Sequence, residues 1–304
     1  MSERFLVMGD NHGDTESLRR VLDDLDDRDE RVDLAVHVGD FTRAMRHDRE
    51  VGVEQLRAVE PLLERVDDRA DHGLVWVWGN QDYFGDLDYD LDAGTEIPQG
   101  GAVAVGGQQF TNDPAQVGAD DVLVTHMETW RLADDFQGKA HFCGNTHLGR
   151  RLDRRLNAAF LQATPQGEDG KRFGGYFVVE FDDDGGFDVE MRSIGGLRRV
   201  ECEVHRERGV QFLPVDQECM FCWQDEVLLR EQAASAFYGV TRDGSETAAV
   251  DAVVEYAVSR WDDPPEGFRE DFEAYLADVD DDRYAPLTRT EDGRLAVAEN
   301  SYAY

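Results

Sequence analysis

Three apolar runs in the first 80 residues each end in a glycine followed by a polar residue. They read F-L-V-M-G-D (5–10), L-A-V-H-V-G-D (34–40) and L-V-W-V-W-G-N (74–80). Between them, apolar residues recur at helical spacing, at Leu18, Val21, Leu22 and Leu25 and then at Val53, Leu56, Val59 and Leu63. Strand–helix–strand order predicts parallel strands with right-handed crossovers. The polar strand ends are therefore expected along one edge of a sheet, where α/β proteins bind ligands.

Two later apolar runs also lead to polar residues. V-L-V-T-H-M (122–127) leads to His126, and A-H-F-C-G-N-T-H (140–147) leads to Asn145 and His147. The first run is followed by a D-x-H pair, Asp10 and His12, whose spacing of two points both side chains the same way if strand geometry persists. Carboxylates, imidazoles and amide oxygens suit Mn, Fe, Zn and similar divalent ions. The pattern predicts a metal site.

The remaining elements predict a second sheet and a different C-terminal region. Short strands are expected at 102–105, 108–111, 158–162, 175–182 and 186–193, and they are assigned to a second sheet packed on the first. Helices are expected at 225–238, 246–261 and 267–279. The predicted organisation is an α/β domain over 1–196 and a mainly helical extension over 197–304.

The charge composition indicates a protein adapted to molar salt. The formal net charge is −35, from 66 acidic and 31 basic residues, and the acids are spread along the whole chain. Only Lys139 and Lys171 are lysines, so 29 of the 31 basic residues are arginines. In molar salt the Debye length falls to about 3 Å, which screens this self-repulsion. Global enrichment of this kind does not by itself exclude nucleic acid as a partner.

The sequence predicts a cytoplasmic protein without a membrane span. No uninterrupted apolar run approaches the roughly 20 residues that a spanning helix needs. The start, M-S-E-R, leads directly into a strand and lacks the apolar region of a signal peptide. Four cysteines, two of them in C-x-x-C, favour reduced thiols or a metal over a disulfide framework. Self-association into a homo-oligomer remains open.

The ordered strand-end motifs resemble those of the calcineurin-like metallophosphoesterases. That family's pattern is D-x-H, G-D, G-N-H-(D/E), an isolated His, and G-H-x-H, and the resemblance covers residues 5–195. It implies a two-sheet β-sandwich flanked by helices. It also implies a phosphoric ester hydrolase with two divalent metals, which are Mn, Fe, Zn or Mg. The expected substrate is a phosphorylated small molecule or a phosphodiester.

The resemblance assigns a role to each matching position. One metal would be held by Asp10, His12 and His147, and the other by Asn80 and His126, with Asp40 bridging both. Two cations sharing a carboxylate lower the pKa of a bridging water and clamp the phosphate during in-line attack. In the family, the protein forms no covalent phosphoryl intermediate.

Two positions depart from the family pattern. Gln81 stands where G-N-H-D has a histidine that stabilises or protonates the leaving oxygen; together with Asn80 it is the predicted catalytic pair. Glutamine donates a hydrogen bond but is no general acid near neutral pH, which favours a diester or a good leaving group. Asn145 replaces a second-metal histidine, so that site is expected to be weaker or to prefer a harder ion. The alternative is a catalytically impaired homologue that binds phosphate or a partner.

Several other polar residues have simpler interpretations. His37 and His141 lie inside apolar runs and are expected in the core, and Asp14 and Asp82 are expected to cap helices or support ligands. The arginine pairs 150–151 and 154–155 favour salt bridges over phosphate binding. A nuclease would need an extended cationic groove with interleaved aromatic residues, and no such arginine stripe is present.

Four residues after position 200 have the spacing of a structural zinc site. C-E-V-H supplies Cys202 and His205, and C-M-F-C supplies Cys219 and Cys222. Two ligand pairs separated by a short loop match three thiolates and one imidazole around zinc. Buried free thiols in a reducing cytoplasm are the competing interpretation. A zinc ion here would have a structural role.

Overall fold

The computed structural model describes residues 3–46, 48–83, 85, 87, 89–127, 136–163, 172–182, 186–242, 244–261, 267–281 and 285–298. The chain divides into two compact units, Met1–Cys219 and Met220–Tyr304. No helix among the described residues has the length and apolar character needed to cross a membrane.

In its described residues, the first unit has two large sheets and three α-helices. Its helices are α1 (Thr15–Asp27), α2 (Arg49–Arg69) and α3 (Asn80–Tyr83). Its strands are β1 (Glu3–Met8), β2 (Leu34–His37), β3 (Leu74–Trp76), β4 (Thr95–Glu96), β5 (Ala102–Val105), β6 (Gln108–Thr111), β7 (Val122–Val124), β8 (Ala140–Cys143), β9 (Gly149–Leu152), β10 (Arg155–Asn157), β11 (Gln162–Ala163), β12 (Arg172–Phe173), β13 (Gly175–Phe181), β14 (Phe187–Ser193), β15 (Leu197–Val200) and β16 (Val210–Pro214). β11 and β12 form a separate two-stranded pair.

Parallel strands form the centre of each sheet. The first sheet has the order β14-β13-β1-β2-β3-β4, and β1 to β4 are parallel. The second has the order β15-β16-β9-β10-β8-β7-β6-β5, with β6, β7 and β8 parallel. The predicted strand–helix–strand crossovers and the parallel sheet are therefore confirmed.

Alternating side chains of the first sheet face two different cores. Phe5 and Val7 of β1 pack in a cluster with Phe110 and Phe142 of the second sheet. The intervening residues, such as Leu6, belong to a cluster that includes the apolar faces of α1 and α2. This alternation is the period of two expected of a strand covered on both faces. The unit is a two-sheet sandwich with helices on the outer face of the first sheet.

The prediction that the 175–193 hairpin belongs to the second sheet was wrong. β13 pairs antiparallel with β1, from Glu3 opposite Phe181 to Val7 opposite Phe177, so the hairpin extends the first sheet. The strand expected at 158–162 was also misplaced, because the pairing strand is β10 and residues 158–161 follow it without strand structure. Local pattern could not have prevented either error, because a hydrophobic run does not specify its pairing partner.

The structure places the boundary between the two compact units later than residue 196. β15 and β16 form an antiparallel hairpin, and β16 pairs with β9 through Val210 and Arg151. Residues 197–214 therefore extend the second sheet. β15 is only four residues long and carries two arginines, Arg198 and Arg199, which hides the hairpin from a search for apolar alternation.

The second unit contains three α-helices and a small sheet. The helices are α4 (Met220–Val240), α5 (Val250–Ser259) and α6 (Phe268–Ala277). The strands are β17 (Thr247–Ala248), β18 (Leu287–Arg289) and β19 (Leu295–Val297), in the order β17-β19-β18. Phe237, Val253 and Phe272 belong to its buried apolar cluster. The helical character was predicted and the sheet was not.

Candidate metal centre

Seven predicted ligands lie in loops at the carboxyl ends of parallel strands. Asp10 and His12 follow β1, Asp40 follows β2, and Asn80 follows β3. His126 follows β7, and Asn145 and His147 follow β8. We call these seven residues the strand-end cluster. Residues up to 137 positions apart in the sequence thus converge because two sheets present the same kind of strand end.

The backbone of this cluster is held in an unusual conformation. Seven non-glycine residues in the described part of the chain have positive φ, and five of them belong to the cluster. These five are Asp10 (59°), His12 (49°), Asp40 (56°), Asn145 (71°) and His147 (52°). Left-handed backbone at non-glycine residues is sterically costly and concentrates at functional sites. The turns therefore hold a strained backbone that directs these side chains into the strand-end cluster.

Three ligands converge in one part of the cluster. The Nε2 atoms of His12 and His147 lie 2.8 Å apart, and their rings stack with centroids 4.6 Å apart. Each Nε2 is 3.7 Å from Oδ1 of Asp10. Nδ1 of His12 lies 3.1 Å from the Thr42 carbonyl oxygen, to which it donates its proton. Nε2 of His12 therefore directs a lone pair toward Asp10 and His147.

The other part of the cluster centres on His126 and Asp40. Nε2 of His126 lies 2.8 Å from Oδ1 of Asn80 and 3.4 Å from Oδ2 of Asp40. Its Nδ1 lies 2.8 Å from the Val38 carbonyl oxygen, which fixes the ring orientation. Asp40 also reaches the first part, since its Oδ2 is 3.9 Å from Nε2 of His12. Asp40 is positioned to serve both parts.

Asn145 approaches the cluster through its main chain. Its backbone N–H donates to Oδ2 of Asp10 at 3.4 Å. Gly144 precedes it, and a Cβ at that position would lie 2.8 Å from the same carboxylate oxygen. The loop after β8 therefore packs directly on Asp10. A ligand role for the Asn145 amide remains a prediction.

Burial and mutual charge set the ionisation of the cluster. Burial raises the pKa of Asp10 well above its usual value, and the charge of Asp40 adds to the shift. Burial opposes a charge on His126, but its bond to Asp40 and the charges of Asp10 and Asp40 prevail and raise its pKa to about 9. Burial, together with His147, lowers the pKa of His12 to about 3. Two buried carboxylates thus require positive charge beside them.

Asp82 connects the loops that carry Asp40 and Asn80. It accepts hydrogen bonds from the backbone N–H groups of Phe41, Thr42 and Gly79, at 3.0, 2.9 and 3.1 Å, and from the Thr42 hydroxyl at 2.7 Å. Burial and the nearby Asp40 raise the pKa of Asp82 to about 6. The predicted supporting role is consistent with these contacts. Asp14 caps α1 by accepting from the Glu16 N–H.

Glycine is required where the loops after β2 and β3 meet. A Cβ on Gly79 would lie 2.1 Å from Oδ1 of Asp40 and 2.2 Å from its backbone nitrogen. Such contacts are far inside van der Waals distance. The G-D and G-N dipeptides therefore combine a ligand with the close backbone approach that brings the ligands together.

The sequence analysis did not identify Asn11 and Arg43, whose hydrogen bonds support the loops of the strand-end cluster. Nδ1 of His37 accepts from the Gly39 N–H, so its Nε2 donates to Oδ1 of Asn11 at 3.1 Å, and Asn11 donates to the Phe41 carbonyl. Arg43 donates to Gln162 at 2.9 Å, and Gln162 donates to the Asn11 carbonyl at 2.9 Å. The charge of Arg43 acts on His12 and lowers its pKa. Nothing local in the sequence marks Arg43 as a partner of residue 162.

The remaining predicted residues lie elsewhere. His37 and His141 are fully buried, as expected for core residues. Arg150 donates to the Arg208 carbonyl, Arg151 to the Phe187 carbonyl and Arg154 to the Lys139 carbonyl. Cys202, His205 and Cys219 form a second cluster, in which the ligand atoms lie within 4.8 Å of one another.

The strand-end cluster fits a pair of divalent cations. Oδ1 of Asp10 is fully buried and has no hydrogen-bond partner among the described residues, although two imidazole nitrogens lie 3.7 Å away. Asp10 is shared by two groups of potential ligands, one with His12 and His147 and one with Asp40 and His126. An unpaired buried carboxylate oxygen costs several kcal/mol unless a proton or cation occupies the site.

The part of the sequence that carries the strand-end cluster matches a known protein family. The sequence profile described as calcineurin-like phosphoesterase matches residues 3–160. No curated protein sequence matches the chain significantly.

Partial similarity to several solved structures is also found. One is a predicted phosphoesterase from Streptococcus pneumoniae TIGR4, with 21% identity, coverage of 64% of this chain and 90% of that chain, and a TM-score of 0.36. Another is described as a novel archaeal phosphodiesterase, with 14% identity, coverage of 62% and 99%, and a TM-score of 0.34. A third is the phosphoesterase Yfce from E. coli, with 16% identity, coverage of 63% and 100%, and a TM-score of 0.29.

The family profile spans more than half of the chain and includes every residue of the strand-end cluster. It ends at residue 160, so the thiols of the second cluster and the whole second unit lie beyond it. The chain belongs to the calcineurin-like phosphoesterase family and is a metal-dependent phosphoric ester hydrolase.

Proposed function

We propose that this protein is a phosphodiesterase that uses two divalent cations held by the strand-end cluster. The observation that carries the proposal is the buried Asp10 carboxylate, which joins two groups of ligands and lacks a partner for Oδ1 in the described part of the chain. When bound, the cations would supply Lewis acidity that activates water for in-line attack and neutralises the phosphate oxygens. Mn²⁺ is the first metal to test.

The ligand roles follow from the contacts within the cluster. His12 and His147 would hold one cation with Asp10, because all three direct their ligand atoms to the same point. Asn80 and His126 would hold the other, and Asp40 would serve both. Thr42 and Val38 hold the Nδ1 protons of the two buried histidines and thereby present Nε2 to the metals. Asn145 would complete the second site as a weaker amide ligand.

Gln81 favours a diester over an unactivated monoester. Its backbone N–H donates to Oδ1 of Asp40 at 2.8 Å, which holds it beside the bridging ligand. Its side chain is buried, and Oε1 has no hydrogen-bond partner among the described residues. The amide can bind a leaving oxygen through its NH₂ group, but it delivers no proton. An alcohol that leaves without a proton must be a good leaving group.

Arg43 is the basic residue to which we assign the phosphate contact. It is partly exposed, it is held by Gln162, and it acts electrostatically on His12. A guanidinium suits phosphate because it donates two parallel hydrogen bonds. This role goes to Arg43 in place of the arginine pairs that follow His147.

Hydrolysis of bis-p-nitrophenyl phosphate with Mn²⁺ in molar salt tests the proposal. We expect turnover that a chelator abolishes and that exceeds turnover of phenyl phosphate, a monoester with a poor leaving group. Gln81→His is expected to shift the ratio toward the monoester by roughly tenfold, because imidazole restores a general acid. An unchanged ratio would remove the role of Gln81.

A catalytically impaired homologue is the competing function. Absence of diester hydrolysis in protein that binds Mn²⁺ normally would favour phosphate or partner binding instead. The cytoplasmic location, the adaptation to molar salt and self-association remain predictions from the sequence.

A further inference from the structure

Cys202, His205 and Cys219 have the geometry of a metal site that the phosphoesterase reaction does not use. Cys202 and His205 lie in the connection between β15 and β16, and Cys219 follows β16. Nδ1 of His205 is 3.7 Å from Sγ of Cys202 and 3.8 Å from Sγ of Cys219. We call these three residues the thiol cluster.

These separations match tetrahedral zinc. With Zn–S of about 2.3 Å and Zn–N of about 2.0–2.1 Å, a tetrahedral angle puts sulfur and nitrogen ligands roughly 3.5–3.6 Å apart. The two measured distances exceed this value by only a few tenths of an ångström. Both sulfurs face the same imidazole nitrogen, so one ion can bind all three atoms. Neither cysteine takes part in a disulfide bond in the described part of the chain.

A separate contact supports a ligand role for Cys219. Nε2 of Gln211 donates a hydrogen bond to Sγ of Cys219 at 3.0 Å. Both residues are buried, and Gln211 is completely inaccessible. Hydrogen bonds from neighbouring side chains orient the ligands of metal sites. The Gln211 amide would act in this way on the Cys219 sulfur.

Cys222 is the fourth ligand expected from the sequence. It follows Cys219 with the C-x-x-C spacing that supplies paired zinc ligands, and Cys202 and His205 have the same spacing. Four protein ligands close the coordination sphere, so such a site has a structural role.

We propose that Cys202, His205 and Cys219, completed by Cys222, bind a structural zinc ion. The ion stabilises the connection between β15 and β16, whose residues 201–209 are mostly exposed and charged. An exposed connection of this kind buries little apolar area with which to hold itself in place. Zinc provides that stabilisation from outside the core.

Cobalt substitution tests this site without interference from the strand-end cluster. The full chain is stripped of metal under reducing conditions and titrated with Co²⁺. Thiolate-bound Co²⁺ has a near-ultraviolet charge-transfer absorption that carboxylate and imidazole ligands do not give. We expect this absorption at one equivalent of Co²⁺ and its loss on addition of Zn²⁺. Its absence in protein whose thiols are shown to be reduced would overturn the proposal.

Variants assign the ligands. Cys202→Ser, Cys219→Ser and Cys222→Ser are each expected to reduce the absorption by at least about a third, because three thiolates contribute. Cys143→Ala is the matched control, since Cys143 is a buried thiol whose Sγ contacts the Leu156 carbonyl. Full absorption in Cys219→Ser, or its loss in Cys143→Ala, would refute the assignment. Full absorption in Cys222→Ser would refute the four-ligand set.

Asp40→Asn separates this proposal from the proposed function. That variant is expected to retain the thiolate absorption while losing diester hydrolysis. Disappearance of the absorption in Asp40→Asn would show that both signals come from one site and would overturn the zinc proposal. Wild-type protein should also lose thermal stability when a zinc-selective chelator removes the ion, with no change in protein that carries Cys219→Ser.

Discussion

The strand-end cluster and the thiol cluster bring candidate metal ligands together in two different ways. The first draws on loops after five strands and uses buried carboxylates and imidazoles. The second draws on one strand connection and on Cys219, between β16 and α4, and its candidate ligands are mainly sulfur. Oxygen and nitrogen ligands leave room for hard ions and exchangeable positions, which hydrolysis needs, whereas thiolates enclose zinc.

The energetic basis of the two clusters differs as well. The strand-end cluster is imposed by the fold, because five of its residues hold left-handed backbone and two loops meet at Gly79. The cores on both faces of the first sheet supply the stability that tolerates this strain. The thiol cluster takes Cys202 and His205 from a connection whose residues are mostly exposed and charged. We therefore expect metal to be needed for activity in the first cluster and for local order in the second.

The largest expected effect is the loss of activity in Asp40→Asn. Removing the charge of the ligand shared by both parts should lower kcat/KM for the diester by at least about 10³-fold, equal to roughly 4 kcal/mol of transition-state stabilisation. Asp29→Asn is the matched control, since Asp29 also has positive φ, 51°, but is exposed and outside the cluster. Steady-state kinetics with saturating Mn²⁺ measures both. Comparable kcat/KM in Asp40→Asn and wild type would remove the cluster from catalysis.

The extent to which this comparison was predictable from sequence depends on locality. Strand ends such as Gly39-Asp40 are local signals, and the four thiol-site residues are recognised by their spacing. The pairing of β13 with β1 depends on contacts between residues more than 170 positions apart, as between Glu3 and Phe181. The hydrogen bond between Arg43 and Gln162 also joins residues far apart in the sequence, at a separation of 119 positions. Local pattern indicates which residues are candidate ligands, whereas the folded structure determines which distant strands and side chains pair with one another.

A second prediction contrasts histidines inside and outside the strand-end cluster. Carboxylates raise the pKa of His126, whereas burial, with the charge of Arg155, lowers the pKa of His141 to about 3. The unfolded chain binds a proton at His141 near pH 6.5, and the folded chain does not until near pH 3. Stability is therefore fully present above pH 6.5 and lost as pH falls toward 3. Between pH 7 and pH 5 the loss from His141 is about 2 kcal/mol.

Urea unfolding of His141→Gln measures this contribution. The variant should lose less free energy of unfolding between pH 7 and pH 5 than the wild type does. His72→Gln provides the control, because His72 is exposed. An identical pH dependence in His141→Gln and wild type would mean that His141 is not held neutral by the core.

The smallest expected effect tests which arginine serves the strand-end cluster. Arg43→Gln should raise KM for the diester by about tenfold, or roughly 1.4 kcal/mol, with a smaller change in kcat, because a ground-state phosphate contact is lost. Arg151→Gln should leave KM unchanged, since Arg151 donates to the carbonyl of Phe187 in β14, which is not part of the strand-end cluster. Arg43→Lys separates charge from shape, because lysine keeps the charge but lacks the paired donors. An increase in KM for Arg151→Gln alone would return the phosphate contact to the arginine pairs after His147.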